Sequence, residues 1–113
     1  MDLFEQIESL MAELTASIKQ LRKNGEKLAE AEKDYKTTLT TEALKLRAED
    51  TPVTLINTTI YGLKGVAEKR FARDVAQATY EANREHINIT KLKLRILENQ
   101  LAREFGASGK GDL

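Results

Sequence analysis

The sequence lacks cysteine and tryptophan and contains a single proline, Pro52. Without cysteine, the chain can form no disulfide, thiolate metal site or cysteine nucleophile. No run of residues approaches the roughly 20 apolar residues that a membrane-spanning helix needs. The first eleven residues contain Asp2, Glu5 and Glu8 but no basic residue, which is the reverse of a signal peptide. We therefore expect a cytoplasmic protein that does not enter a membrane.

An excess of charge of either sign is also missing, since 18 basic residues balance 18 acidic ones. This balance argues against a global attraction to nucleic acid or to an anionic membrane, although it does not exclude local basic clusters. Aromatic residues make up only 5% of the chain and charged residues 32%. Such a composition is typical of long, narrow helical packing with a large solvated surface.

The single proline marks the point where we expect the chain to reverse. Proline disrupts the interior of a helix but fits its first position, so we predict that Pro52 begins a helix with Thr51 as its N-cap. Apolar residues recur at steps of three and four on both sides. The sequence therefore predicts an all-α fold, a long antiparallel, coiled-coil-like helical hairpin with arms at about residues 3–49 and 52–105 and a turn at 50–52.

Glycines interrupt the predicted hairpin at two places. Asn24-Gly25 is a helix stop signal, but the apolar pattern resumes in phase at Leu28, so we favour a continuous or kinked first helix. Gly62 and Gly65 predict a break at 62–65 after a short helix of about 53–61. Residues 1–105 then form one hairpin domain, and residues 106–113 are expected to be a flexible tail.

The return arm carries two apolar stripes. We assign the first to the contact with the first arm, because pairs such as Leu14 with Ile89 and Ile7 with Ile96 keep a constant register. This first stripe consists of Val75, Ala78, Ala82, Ile89, Leu92 and Ile96. One hairpin cannot also bury the second stripe, so we predict that it forms an oligomer or partner interface. The predicted interface comprises Phe4, Met11, Ile87, Leu94, Leu97, Leu101 and Phe105. A second copy docking there would give a dimeric four-helix bundle.

No constellation typical of catalysis or metal binding accompanies this pattern. His86 is the only histidine, and the Glu-x-x-His motif of helical metal sites fails because Asn83 occupies its first position. The tyrosines are spaced for packing. We predict no catalytic residue, no metal and no cofactor, and we expect the protein not to be an enzyme.

A set of basic residues leaves nucleic-acid contact as the alternative function. They could meet phosphates, but no aromatic accompanies them for base stacking and carboxylates lie among them. These residues are Lys19, Arg22, Lys23, Lys27, Arg84, Lys91, Lys93 and Arg95.

A pattern of packing residues covers about half of the chain, from Lys45 to Phe105. A helix ends near a Thr-Pro-Val-Thr-Leu-Ile turn at 51–56, and a glycine-marked break follows. A long helix then carries Ala-x-x-x-Tyr at 76–80 and Leu-x-x-x-Leu at 97–101. This pattern resembles small uncharacterised helical proteins of tailed bacteriophages and prophages.

The resemblance implies a phage origin and action inside the bacterial host, often near replication or recombination functions. It supplies no catalytic residue. We therefore expect a non-enzymatic interaction protein that self-associates, as a dimer, and binds or modulates a host or phage protein. The alternative is an accessory protein of phage DNA replication or recombination.

Overall fold

The computed structural model describes residues 1–111, with side chains described for residues 1–106. Helix α1 spans Leu3–Ala48, helix α2 spans Val53–Thr59, a 3-10 turn follows at Ile60–Gly62, and helix α3 spans Lys64–Gly111. The chain is 93% helical, with no strand in the part that the structure describes. The two long helices pack together, which confirms the all-α prediction. None of the described helices is both long and apolar enough to cross a membrane.

Helix α1 begins with a side-chain cap and continues through its glycine. The backbone N–H of Glu5 donates to Oδ1 of Asp2 at 2.7 Å, which satisfies one of the donors that a first turn leaves free. Gly25 lies inside α1, and no described glycine has a positive φ. The Asn24-Gly25 stop signal therefore does not end the helix.

The turn after α1 is a Schellman motif with aspartate in the position that glycine usually occupies. Asp50 has a φ of 60°, the N–H of Thr51 donates to the Leu46 carbonyl at 3.1 Å, and the N–H of Asp50 donates to the Arg47 carbonyl at 3.0 Å. Pro52 has an extended ψ of 141° and α2 begins at Val53. The prediction that Pro52 is the first helical residue and Thr51 its cap is therefore wrong by one position.

The start and end of α3 also differ from the sequence prediction. The interruption falls at Leu63, which has an extended ψ of 135°, and Gly65 already lies in the first turn of α3. At the other end, α3 continues to Gly111. Residues 106–111 of the predicted tail are therefore helical, whereas Asp112 and Leu113 lie outside the described residues.

The fold divides into two compact units. Unit 1 combines Met1–Arg22 with the described part of Ala82–Leu113, and unit 2 is Lys23–Glu81. In unit 1, His86 contacts Glu13 and Asn83 contacts Ser17. Residue numbers thus rise on α1 as they fall on α3, so the two helices run antiparallel.

Unit 2 contains an apolar core at the turn. Val66 is fully buried, and this core also contains Tyr35, Ile56, Ile60, Leu39, Ala43, Leu46 and Leu63. The guanidinium of Arg73 lies 4.6 Å from the centre of the Tyr35 ring, a cation–π contact. A hydrogen bond to the Asp74 carboxylate raises the pKa of Arg73 above its ordinary value. The other two tyrosines also pack: Tyr80 lies against Gly25, and Tyr61 is half exposed near Arg70.

Candidate partner-binding surface

The face of α3 that contacts α1 in unit 1 is not the face that the sequence predicts. Ile87 and Leu94 are only 6% and 5% exposed, so these two residues of the predicted outer interface lie in the buried contact between α1 and α3. Leu97 and Leu101 are half-buried on the same face. These positions follow one another at steps of three, four and seven residues, which keeps them on one side of a helix.

The buried face of α3 contains polar residues as well as apolar ones. Asn83 is half-buried, and its Nδ2 donates to the Ser17 carbonyl at 3.2 Å. Thr90 is 1% exposed, and its Oγ1 donates to the carbonyl of His86 at 2.8 Å. A buried polar group costs little when it is hydrogen-bonded. Both residues are therefore compatible with burial, although they interrupt the apolar pattern.

The stripe that the sequence assigned to the contact instead faces outward. Ile89, Leu92 and Ile96 are 43%, 52% and 54% exposed. At about 100° per residue they lie within about 60° of one another and about 150° from the buried residues of the same helix. The predicted pairs of Ile89 with Leu14 and Ile96 with Ile7 are therefore wrong. We call these three residues the outer α3 stripe.

Unit 2 shows the same departure from the sequence prediction. Val75, which was assigned to the contact with α1, is half exposed, and Phe71 is strongly exposed. In the sequence, Phe71 and Val75 precede Leu92 and Ile89 by whole heptads. They therefore occupy the same positions in the repeat as the outer α3 stripe.

A second exposed stripe lies on α1 of unit 1. Phe4, Met11 and Ile18 are separated by seven residues each and are half exposed or more. They lie within about 40° of one another and about 80° from the residues of α1 that contact α3. We call these residues the α1 flank stripe. Phe4 and Met11 belong to the predicted interface, as does Phe105, which is exposed on α3. Ile18 was assigned to the main apolar stripe of the first arm, and its exposure shows that this assignment is wrong.

A polar pair lies on the side of the contact between α1 and α3 that is opposite to the α1 flank stripe. Nε2 of His86 lies 2.9 Å from Oε1 of Glu13, with both side chains about half exposed. An exposed pair of this kind contributes at most about 1 kcal/mol to stability. No group of three or more potential metal ligands occurs among the described residues. His86 lies beside Glu13 at the border of the helix contact.

The eight predicted nucleic-acid contacts are all exposed, but they do not share one face. On α3, Arg84, Lys91 and Arg95 lie within about 40° of one another. Lys93 lies about 200° from Lys91 around the same helix. The basic residues of α3 in unit 1 therefore form one short line and one separate position.

Each unit also contains a shallow groove. The groove of unit 1 has a volume of about 260 Å³ and is lined by Leu10, Lys93 and Ile96 among others. The groove of unit 2 has a volume of about 350 Å³, and its polar lining comes from Thr40, Arg47 and Asn57. Both are open to solvent and lie beside exposed apolar residues.

The chain matches no protein-family model, and comparison with curated proteins and with solved structures likewise gives no match.

Proposed function

We propose that this protein is a non-enzymatic interaction protein, which associates with itself and with a second protein through exposed apolar stripes on its helices. One observation carries the proposal: unit 1 exposes two ordered apolar stripes in addition to the residues that it buries. Exposed apolar residues scattered singly are common on protein surfaces, whereas contiguous sets mark interfaces. Helices recognise each other through stripes with this spacing.

The resemblance of residues 45–105 to phage and prophage proteins supports a partner of bacterial or phage origin. A small protein without catalytic residues can act in a host cell by occupying a surface of a larger protein. In this proposal the protein works in the host cytoplasm, and its exposed helical faces select the partner.

Light scattering coupled to size exclusion tests self-association. The wild-type chain is expected to run as a dimer at micromolar concentration.

Two variants test which stripe mediates self-association. One replaces all three residues of the α1 flank stripe by serine, and the other replaces all three residues of the outer α3 stripe by serine. Because these residues are exposed, both variants should keep their helical circular dichroism. The matched control replaces Leu44 and Leu55, two exposed leucines of unit 2, and should leave the mass unchanged. A wild-type monomer at every concentration would remove self-association from the proposal.

Affinity capture with the same variants tests the second protein. A specific partner should be retained by the wild type and by the control but lost from a variant of one stripe. Equal recovery by the wild type, the control and both stripe variants would show that the stripes do not select the partner.

A DNA-metabolism accessory remains a second candidate because Arg84, Lys91 and Arg95 form a basic line on α3. Contacts to phosphates would make DNA affinity fall steeply with salt. Reversing these three charges should then abolish binding and flatten the salt dependence. No binding at low salt would eliminate this candidate.

A further inference from the structure

We infer that a second copy of this chain covers the α1 flank stripe, with the two α1 helices antiparallel and a two-fold axis near Met11. This inference rests on the proposed self-association and adds the surface, the orientation and the residues that set it. In this arrangement Phe4 of one copy lies alongside Ile18 of the other. The stripe is self-complementary because Met11 lies midway between Phe4 and Ile18.

The orientation follows from the distribution of charge along α1 in unit 1. The beginning of this segment carries Glu5 and Glu8, and its end carries Lys19 and Arg22; all four are exposed. Glu8, Lys19 and Arg22 lie within about 80° of the α1 flank stripe, on the side away from α3. An antiparallel pair therefore places the acidic beginning of one copy beside the basic end of the other. A parallel pair would put the two acidic beginnings at one end of the contact and the two basic ends at the other, and would lack this attraction.

The outer α3 stripe lacks this complementarity. Lys93 and Arg95 flank it on either side, next to Leu92 and Ile96. Suppose that two outer α3 stripes paired in antiparallel orientation, centred on these apolar residues. Lys93 of one chain would then face Lys93 of the other chain, and Arg95 would face Arg95. The charges therefore favour the α1 flank stripe for a second copy and leave the outer α3 stripe for a different protein.

Charge reversal in two complementary variants tests whether these charges lie at the contact between the two copies. The first variant carries Lys19→Glu and Arg22→Glu, and the second carries Glu5→Lys and Glu8→Lys. Each alone should self-associate about tenfold more weakly than the wild type, because the intermolecular contact of Glu8 with Lys19 and Arg22 becomes repulsive. An equimolar mixture should associate at least as tightly as the wild type, because every pair is then attractive. Sedimentation equilibrium measures the three dissociation constants.

A matched control reverses Lys33 and Lys36, which are exposed in unit 2. This variant should associate like the wild type and should not gain affinity when mixed with the Glu5→Lys, Glu8→Lys variant. Circular dichroism of every variant shows whether the helices are retained. If the two complementary variants fail to restore association on mixing while the wild type is dimeric, this inference is wrong and the proposed self-association still stands.

Cross-linking provides an independent readout, since the chain has no cysteine of its own. A Phe4→Cys chain mixed with an Ile18→Cys chain should give mainly the mixed disulfide on oxidation. Disulfides between two Phe4→Cys chains, or between two Ile18→Cys chains, as the main products would indicate a parallel pair and overturn the inference. A wild-type monomer in the absence of cross-linking would instead contradict self-association itself.

Discussion

Nδ2 of Asn83 on α3 donates a hydrogen bond to the carbonyl oxygen of Ser17 on α1, at a distance of 3.2 Å. This bond joins the two helices of unit 1 and fixes both their register and the face that α3 turns inward. A polar residue in a helix contact costs some stability but restricts the number of alternative pairings.

Replacing Asn83 by alanine should therefore lower the free energy of unfolding by about 1 kcal/mol. The loss comes from the hydrogen bond and from the reduced packing of the half-buried side chain. Urea denaturation followed by circular dichroism measures it. Asn88→Ala is the matched control, because Asn88 is exposed on the same helix, and it should change the stability little. Equal effects at both positions would contradict the role given to Asn83.

Leu92 and Leu94 lie two positions apart on α3. They provide a direct test of which face of α3 contacts α1. Leu94 is 5% exposed and Leu92 is 52% exposed. Leu94→Ala should cost about 2–4 kcal/mol because it leaves a cavity in the helix contact. Leu92→Ala should cost well under 1 kcal/mol in a dilute monomer. Thermal and urea unfolding at low protein concentration compare the two, and the reverse order would show that α3 is rotated.

Gly25 lies where Tyr80 approaches α1 in unit 2. An added Cβ at Gly25 would lie 3.4 Å from Cε2 of Tyr80, which is an ordinary van der Waals contact. Gly25→Ala should therefore stabilise the fold by up to about 1 kcal/mol through higher helix propensity. Gly25→Ile should destabilise it, because the larger side chain displaces the tyrosine ring. If Tyr80→Ala does not relieve the effect of Gly25→Ile, the contact is not its cause.

Asp50 closes α1 with a φ of 60°, a conformation that glycine adopts without steric cost. Its carboxylate also lies at the C-terminal end of the helix, where negative charge is unfavourable. Asp50→Gly should therefore stabilise the protein by about 0.5–1 kcal/mol and raise its melting temperature.

Glu49→Gly serves as the control for Asp50→Gly. Glu49 precedes the turn position and has no positive φ, so glycine brings no conformational relief there and should be neutral or destabilising. Differential scanning calorimetry distinguishes the two variants. A lower melting temperature for Asp50→Gly would contradict the role assigned to the turn.

The positions of the helices could be predicted well from the sequence, because capping residues, proline and glycine act on the backbone within a few residues. Asp2 supplies a carboxylate to the free N–H groups of the first turn of α1. The single proline prevents α1 and α2 from joining. Gly25 was ambiguous in sequence, since one glycine in a long amphipathic helix costs only about 1 kcal/mol, and the pattern on both sides outweighs it.

The candidate interface could be predicted only in part. Phe4 and Met11 are exposed as expected, because each lies beside the main apolar pattern of α1, and Phe105 is exposed as well. Ile87 and Leu94 are buried, and Ile89, Leu92 and Ile96 are exposed. The constant register of pairs such as Leu14 with Ile89 favours the wrong stripe, and the buried stripe also includes the polar residues Asn83 and Thr90.

The sequence by itself determined that the chain forms two long helices joined by a turn near Pro52, because capping, proline geometry and periodicity act over a few residues. Only the tertiary structure decided which of the two stripes on α3 packs against α1. Both stripes repeat with the same period, so periodicity cannot choose between them. The choice depends on contacts between residues far apart in sequence, such as Asn83 with Ser17, which satisfy polar groups that would otherwise oppose burial.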